Sequence, residues 1–170
     1  MNRPLDVLFV NADSSAAAYQ DLSKDFSAIE PPTWALLLAQ ACRSKGFGVA
    51  ILDCGAERLT EAQSAQRISE MPARLVCFVV YGQNPNSGTT NMIGATSLAR
   101  KLKAANPETK ICFVGSHTSA LPMEVIALPE VDFILLNEGV TRCKICCAPI
   151  CSPSWIKSKA SATSKTAFPF

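Results

Sequence analysis

A single histidine, His117, serves the whole 170-residue chain. No serine–histidine–acid set and no carboxylate pair within a recognisable motif accompanies it. Nothing therefore marks an independent enzyme, and no catalytic residue is assigned. Long apolar runs are missing too: none reaches the roughly eighteen residues that span a bilayer. The short apolar stretch in MNRPLDVLFVNAD meets Asn11 and Asp13 where a signal peptide would have small residues for cleavage. The chain reads as cytoplasmic, with no membrane span. Neither GxxxxGK[ST] nor a GxGxxG after the first strand is present, which counts against nucleotide hydrolysis and dinucleotide binding. Residues 141–170 contain no acid at all, only Arg142, Lys144, Lys157, Lys159 and Lys165. Residues 1–140 then hold 11 of the 16 basic residues against all 14 acids, a net charge of −3. Such a body offers no basic face for nucleic acid.

What the sequence does have is a regular alternation. Leu5 to Val10 is a short apolar run that suits a pleated sheet, and similar runs recur at Val49–Leu52, Leu75–Tyr81, Lys110–Val114 and Val131–Leu136. Between them lie helical segments. One follows Glu30-Pro31-Pro32-Thr33 and runs from Trp34 to Lys45, ending at Gly46 and Gly48. The next runs from about Thr60 to Met71, opened by Thr60 with Gln63 three residues on. The others run from about Asn91 to Ala105 and from Pro122 to Leu128. Five strands alternating with four helical segments predict a doubly wound α/β domain with a five-stranded parallel sheet. The near-continuous apolarity of Leu75–Tyr81 marks a central strand buried on both faces.

The rhythm stops after Val140. Residues 141–170 mix Cys, Ser, Lys and Pro in no periodic order, and are expected to form an irregular tail, disordered or out of frame, beyond a domain of residues 1–140. Without a helix after strand five, its apolar surface is expected to be partly exposed and folding marginal. Cys143, Cys146, Cys147 and Cys151 superficially offer four thiolates, but they lack the CxxxCxxC order of radical S-adenosylmethionine enzymes, and no second ligand group exists elsewhere. Neither a metal site nor an iron–sulfur cluster is expected. Cys42, Cys54, Cys77 and Cys112 stand singly in apolar or helical contexts, as small hydrophobes of a reducing compartment.

Open parallel sheets bind ligands beyond the carboxyl ends of their strands. After strand three, Tyr81, Gly82, Gln83 and Asn84 lead through Ser87 to Thr89 and Thr90, a turn whose amides and hydroxyls suit an anion or nucleotide tail. An ordinary strand-to-helix turn has the same composition. Gly115, Ser116, His117 and Thr118 follow strand four, and Glu138 and Gly139 follow strand five. His117 is placed to meet a phosphate or a cofactor edge, though a lone histidine is more often a hydrogen-bonded loop residue. Glu138 serves equally as a ligand contact or a cap.

Several segments together resemble the N-terminal cobalamin-binding domain of cobalamin-dependent radical S-adenosylmethionine proteins, the group of the magnesium-protoporphyrin ester cyclases and hopanoid-modifying enzymes. They are Glu30-Pro31-Pro32, Gly46-Phe47-Gly48-Val49 leading to Asp53, Val114-Gly115-Ser116-His117-Thr118-Ser119-Ala120-Leu121-Pro122-Met123-Glu124, and Val131-Asp132-Phe133-Ile134 leading to Glu138-Gly139. The resemblance implies a flavodoxin-like sheet of strand order 2-1-3-4-5, with cobalamin as its cofactor and the corrin across the carboxyl edge. It implies contacts from Gly82–Thr90, Gly115–Thr118 and Glu138–Gly139. Other cobalamin domains carry Asp-x-His-x-x-Gly after strand one; here Asn11-Ala12-Asp13-Ser14-Ser15 has no histidine, so no protein histidine is expected on cobalt. The chain is expected to be a fragment, truncated before a radical domain that would be its partner. The competing reading is a flavodoxin-like or receiver-like nucleotide-binding or regulatory module. A receiver needs an acidic cluster after strand one, an aspartate after strand three and a lysine after strand five, and those positions hold none of them.

Overall fold

The computed structural model describes residues 5–15, 29–82, 85–137 and 156–158. Its strands are β1 (Leu5–Asn11), β2 (Val49–Asp53), β3 (Ala73–Val80), β4 (Ile111–Gly115), β5 (Phe133–Leu135) and β6 (Ile156–Ser158). The helices are α1 (Thr33–Arg43), α2 (Glu61–Glu70), α3 (Pro85–Ala105), α4 (Ser116–Ala120) and α5 (Pro122–Ala127). The sheet order is β2-β1-β3-β4-β5-β6. The first five strands run parallel, in the expected order.

Alternation along each strand decides what faces where. Val7 and Phe9 of β1, Leu75, Cys77 and Val79 of β3, Cys112 and Val114 of β4 and Leu135 of β5 share one face with Ala35, Leu38, Ala39 and Cys42 of α1. Those four α1 positions recur at the spacing of a single helical stripe. The residues between them, Leu8, Val10, Val76, Phe78, Ile111, Phe113 and Ile134, fill the other face with Ile68 of α2, with Met92, Ala95, Leu98, Ala99 and Leu102 of α3, and with Val125 and Ile126 of α5. At its centre the rings of Phe78 and Phe113 stack with centroids 5.1 Å apart.

Local chemistry sets the helix ends. Gly46, at φ +84, ends α1, and the Phe47 N–H turns back to the Cys42 carbonyl (3.3 Å). The left-handed conformation there suits a residue without Cβ. α2 opens with a reciprocal capping box: Gln63 N–H donates to Thr60 Oγ1 (3.3 Å) and Thr60 N–H to Gln63 Oε1 (2.9 Å).

Four features depart from the sequence reading. α3 starts at Pro85, not near Asn91, so most of the turn-rich stretch after β3 is helical. Ser116–Ala120, read as loop, forms the short helix α4. Within the stretch expected to be irregular, Ile156–Ser158 pairs antiparallel with β5, in the register Leu135↔Ile156, Ile134↔Lys157 and Phe133↔Ser158; the remainder of 141–170 lies outside the described residues. Strand five is also better covered than expected, with Ile134 and Leu135 fully buried and only Phe133 partly so.

Two outcomes are expected. Thr60→Ala removes one half of the capping box and should lower stability by about 1 kcal/mol in urea unfolding; an unchanged midpoint would show that the box contributes nothing. The four described cysteines, Cys42, Cys54, Cys77 and Cys112, are free and buried. Burial raises the Cys54 thiol pKa, while the hydrogen bond with Cys112, joined by burial, pushes Cys77 well up. Since the thiolate is the reactive form, iodoacetamide followed by peptide mass mapping should leave all four unlabelled in the folded chain and label them after unfolding.

Candidate functional site

The chain leaves β1 for β2 on one side and then crosses to β3 on the other. The order therefore reverses between β1 and β3, where open α/β sheets form their ligand crevice. On the β1 side, Asn11 Nδ2 donates to Asp53 Oδ1 (3.1 Å), joining the ends of β1 and β2. Asp13 Oδ1 accepts from Ser15 N–H (2.8 Å), which fixes the next turn. Ser14 is buried and clasps the loop to α3: its hydroxyl donates to the Asn91 carbonyl (3.1 Å) and accepts from Gly94 N–H (3.2 Å). Position 94 must be small for this, because a Cβ there would collide with the Asp13 carbonyl and Ser14 Oγ.

On the other side the loops after β3, β4 and β5 are tied together. Tyr81 stacks on Trp34 at the start of α1, with centroids 4.5 Å apart. Its hydroxyl donates to the Asn137 carbonyl (2.6 Å), and its own carbonyl accepts from Asn91 Nδ2 (3.0 Å). Asn137 sits in the left-handed region at φ +59, which asparagine tolerates better than most residues. Its N–H donates to Ser119 Oγ (2.8 Å), and that hydroxyl donates to the Gly115 carbonyl (2.9 Å). Thr89 Oγ1 and His117 Nδ1 lie 3.0 Å apart and join α3 to α4.

The glycines here serve close packing of the chain on itself. A Cβ at Gly82 would strike Ser87, one at Gly88 would strike Ser116 Oγ, and one at Gly115 would strike the Val80 carbonyl. Among the described residues, Ser116 Oγ beneath this turn, Thr118 Oγ1 two residues further along α4, and Asp53 Oδ2 at the end of β2 are buried without a hydrogen-bond partner. Buried polar atoms of this kind are uncommon in folded proteins and call for a specific reason.

The structure thus brings Tyr81, Gly82, Ser87, Thr89, Thr90, Gly115, Ser116, His117 and Thr118 to one end of the sheet, around the contact of α3 with α4. Gln83, Asn84, Glu138 and Gly139 lie outside the described residues. Sequence reasoning left out Trp34, Asn91, Ser119 and Asn137, which hold the loops in place. Trp34 directly after Pro-Pro-Thr and Asn91 at the expected helix start were the visible signals; the Ser119–Asn137 link spans 18 residues and had none. Among the described residues, no group of three or more His, Cys, Asp or Glu side chains is arranged to hold a metal ion.

Comparison with known proteins agrees with this fold. No curated protein matches the chain. Two solved structures of TsrM, a radical S-adenosylmethionine methyltransferase from Kitasatospora setae, share its fold at 14% sequence identity. One, with tryptophan substrate and the SAM analogue aza-SAM bound, matches 82% of the chain with a TM-score of 0.60. The other, with cobalamin and a [4Fe-4S] cluster bound, matches 85% with a TM-score of 0.62. The chain spans about a quarter of the length of each, 25% and 26%. The B12 binding domain profile matches residues 21–145, which take in α1 through β5 and leave out β1 and the loop residues Asn11–Ser15, and the chain therefore belongs to the B12-binding domain family.

Proposed function

We propose that the chain is a cobalamin-binding module that holds the corrin across the carboxyl edge of its sheet, and that it serves a separate radical-generating domain without turnover of its own. Cobalamin is the ligand of the family. The observation that carries the position is the pair of buried, unpartnered hydroxyls, Ser116 Oγ and Thr118 Oγ1, at the end of β4. Leaving such groups unsatisfied costs about 1–3 kcal/mol each, and a polar ligand in the cleft offsets that cost. The cofactor's polar side groups and nucleotide tail supply suitable partners, so the residues present fit the group.

When bound, cobalamin supplies a cobalt centre able to carry a methyl group or support radical chemistry. The chain's own residues bind and orient. Ser116 and Thr118 donate or accept within the cleft, and Tyr81, fixed by Trp34 and Asn137, walls it on the α1 side. Asn11–Ser15 has no histidine to offer cobalt. His117 is engaged through Nδ1 with Thr89 and is read as a contact between loops. Gln83, Asn84, Glu138 and Gly139 complete the proposed set.

Exposed apolar surface supports the partner. The large hydrophobic residues exposed among the described ones are Ile29, Leu36, Leu37, Ile93, Leu121 and Met123. Ile29 lies before α1 and Leu36 and Leu37 in its first two turns, Ile93 in the N-terminal half of α3, Leu121 between α4 and α5, and Met123 at the second position of α5, so all belong to segments near the carboxyl edge. Because α3 and α5 cover the face of the sheet opposite to α1, the adjacent Leu36 and Leu37 of α1 are the best support for a docking face, here for a radical S-adenosylmethionine domain. No helix among the described residues is long and apolar enough to cross a membrane. The reduced state of the four described cysteines supports a cytoplasmic setting.

Titration of the purified chain with hydroxocobalamin, followed by gel filtration, should retain about one cofactor per chain; a folded chain that retains none would exclude the module. Thr118→Val should act with opposite signs on two properties. Removing an unsatisfied hydroxyl should raise the stability of the free chain by about 1 kcal/mol. Cobalamin affinity should fall about tenfold, equivalent to about 1.4 kcal/mol, while Cys42→Ala leaves it unchanged. Equal affinity in Thr118→Val and the parent would remove this hydroxyl from the site.

A further inference from the structure

The N-terminal end of α3 contains two helix starts. Pro85 suits the first position of a long helix, since its fixed φ fits and its missing N–H would have no partner there in any case. Six residues later, Asn91 is a favoured N-cap type for a shorter one. The stretch between them reads Asn86-Ser87-Gly88-Thr89-Thr90, all residues of low helix propensity. Ser87 to Asn91 are all polar or glycine, and the buried apolar residues described in α3 are Met92, Ala95, Leu98, Ala99 and Leu102.

The two parts are held differently. From Asn91 onward the helix is clasped to the β1 loop, because Ser14 Oγ takes the Gly94 N–H and gives its own proton to the Asn91 carbonyl. In an uninterrupted helix the Gly94 N–H belongs to the carbonyl of residue 90. Ser14 Oγ offers this N–H an acceptor from outside the helix, so a helix starting at Asn91 would still have the Gly94 N–H satisfied. Before Asn91, Gly88 lies against Ser116 and the Val80 carbonyl, and Thr89 meets His117. They cover the buried Ser116 hydroxyl, with that of Thr118 two residues further along α4.

We propose that α3 switches between a long form starting at Pro85 and a short form starting at Asn91, the long form being the closed state of the cleft. Unwinding of Ser87–Thr90 uncovers Ser116 and frees the backbone amides of these turns to solvent. Cobalamin, which meets those groups only in the short form, shifts the equilibrium toward it by its difference in affinity for the two states. This switch rests on the cobalamin site proposed above.

The test is amide hydrogen exchange on the full chain, free and loaded with hydroxocobalamin, with cofactor retention measured on the same samples. Retention together with at least tenfold faster exchange at residues 89–93, and no change across Leu98–Leu102, supports the switch. Retention with unchanged or slower exchange at 89–93 overturns it and leaves the cobalamin site standing. A folded chain that retains no cobalamin overturns both.

Discussion

β3 pairs with β1 along Leu5↔Ala73 to Val10↔Phe78 and with β4 along Val76↔Ile111 to Val80↔Gly115. Six successive residues, Leu75 to Val80, are buried, alternately under one layer and the other. A slip of one residue in either pairing would exchange every side chain between the two layers. It would carry Cys77 and Val79 into the space packed by α3, and Phe78 into the α1 layer. The same register sets Gly115 beside Val80, where a side chain would collide with the Val80 carbonyl. The start of α4, and with it Ser116 and Thr118, is therefore placed by strand pairing that extends down to the opposite end of the sheet.

Much of this architecture was legible in the chain itself because its signals are local. The Thr60–Gln63 pair is four residues long and forms the expected capping box. The apolar runs are bounded by Asn11, Asp53, Gly82 and Gly115, and the observed strands end at or within two residues of them. Both cysteines of the central strands sit at apolar positions and are buried there. The sheet order follows from strand spacing only together with a resemblance, since periodicity alone does not say which strands are neighbours.

What was not legible depends on contacts between distant segments. Asn86 to Thr90 has turn composition, and its helical form coincides with close packing of Gly88 on Ser116, 28 residues away. α4 is too short for an amphipathic period to be read. Nothing in Ile156-Lys157-Ser158 alternates in a way that singles out a strand, and its pairing with β5 appears only when both segments are seen together. Of the candidate site, the residue types that border the cleft were recognisable as a glycine- and hydroxyl-rich set. The Trp34–Tyr81 stack and the Asn137 bonds that orient them were not.

The antiparallel strand β6 has a consequence for how the sheet meets other chains. An outer strand with unpaired N–H and C=O groups is a template for further pairing, including with a second copy of the same protein. β6 occupies that position beside β5 and reverses the strand direction. β6 thus covers the edge of β5 and presents its own outer edge in its place, three residues long from Ile156 to Ser158. Among the described strands the longer open edge is β2, Val49–Asp53, with five residues, so control of self-association falls chiefly to the half-buried Val49, Ala50 and Ile51 at the opposite side of the sheet.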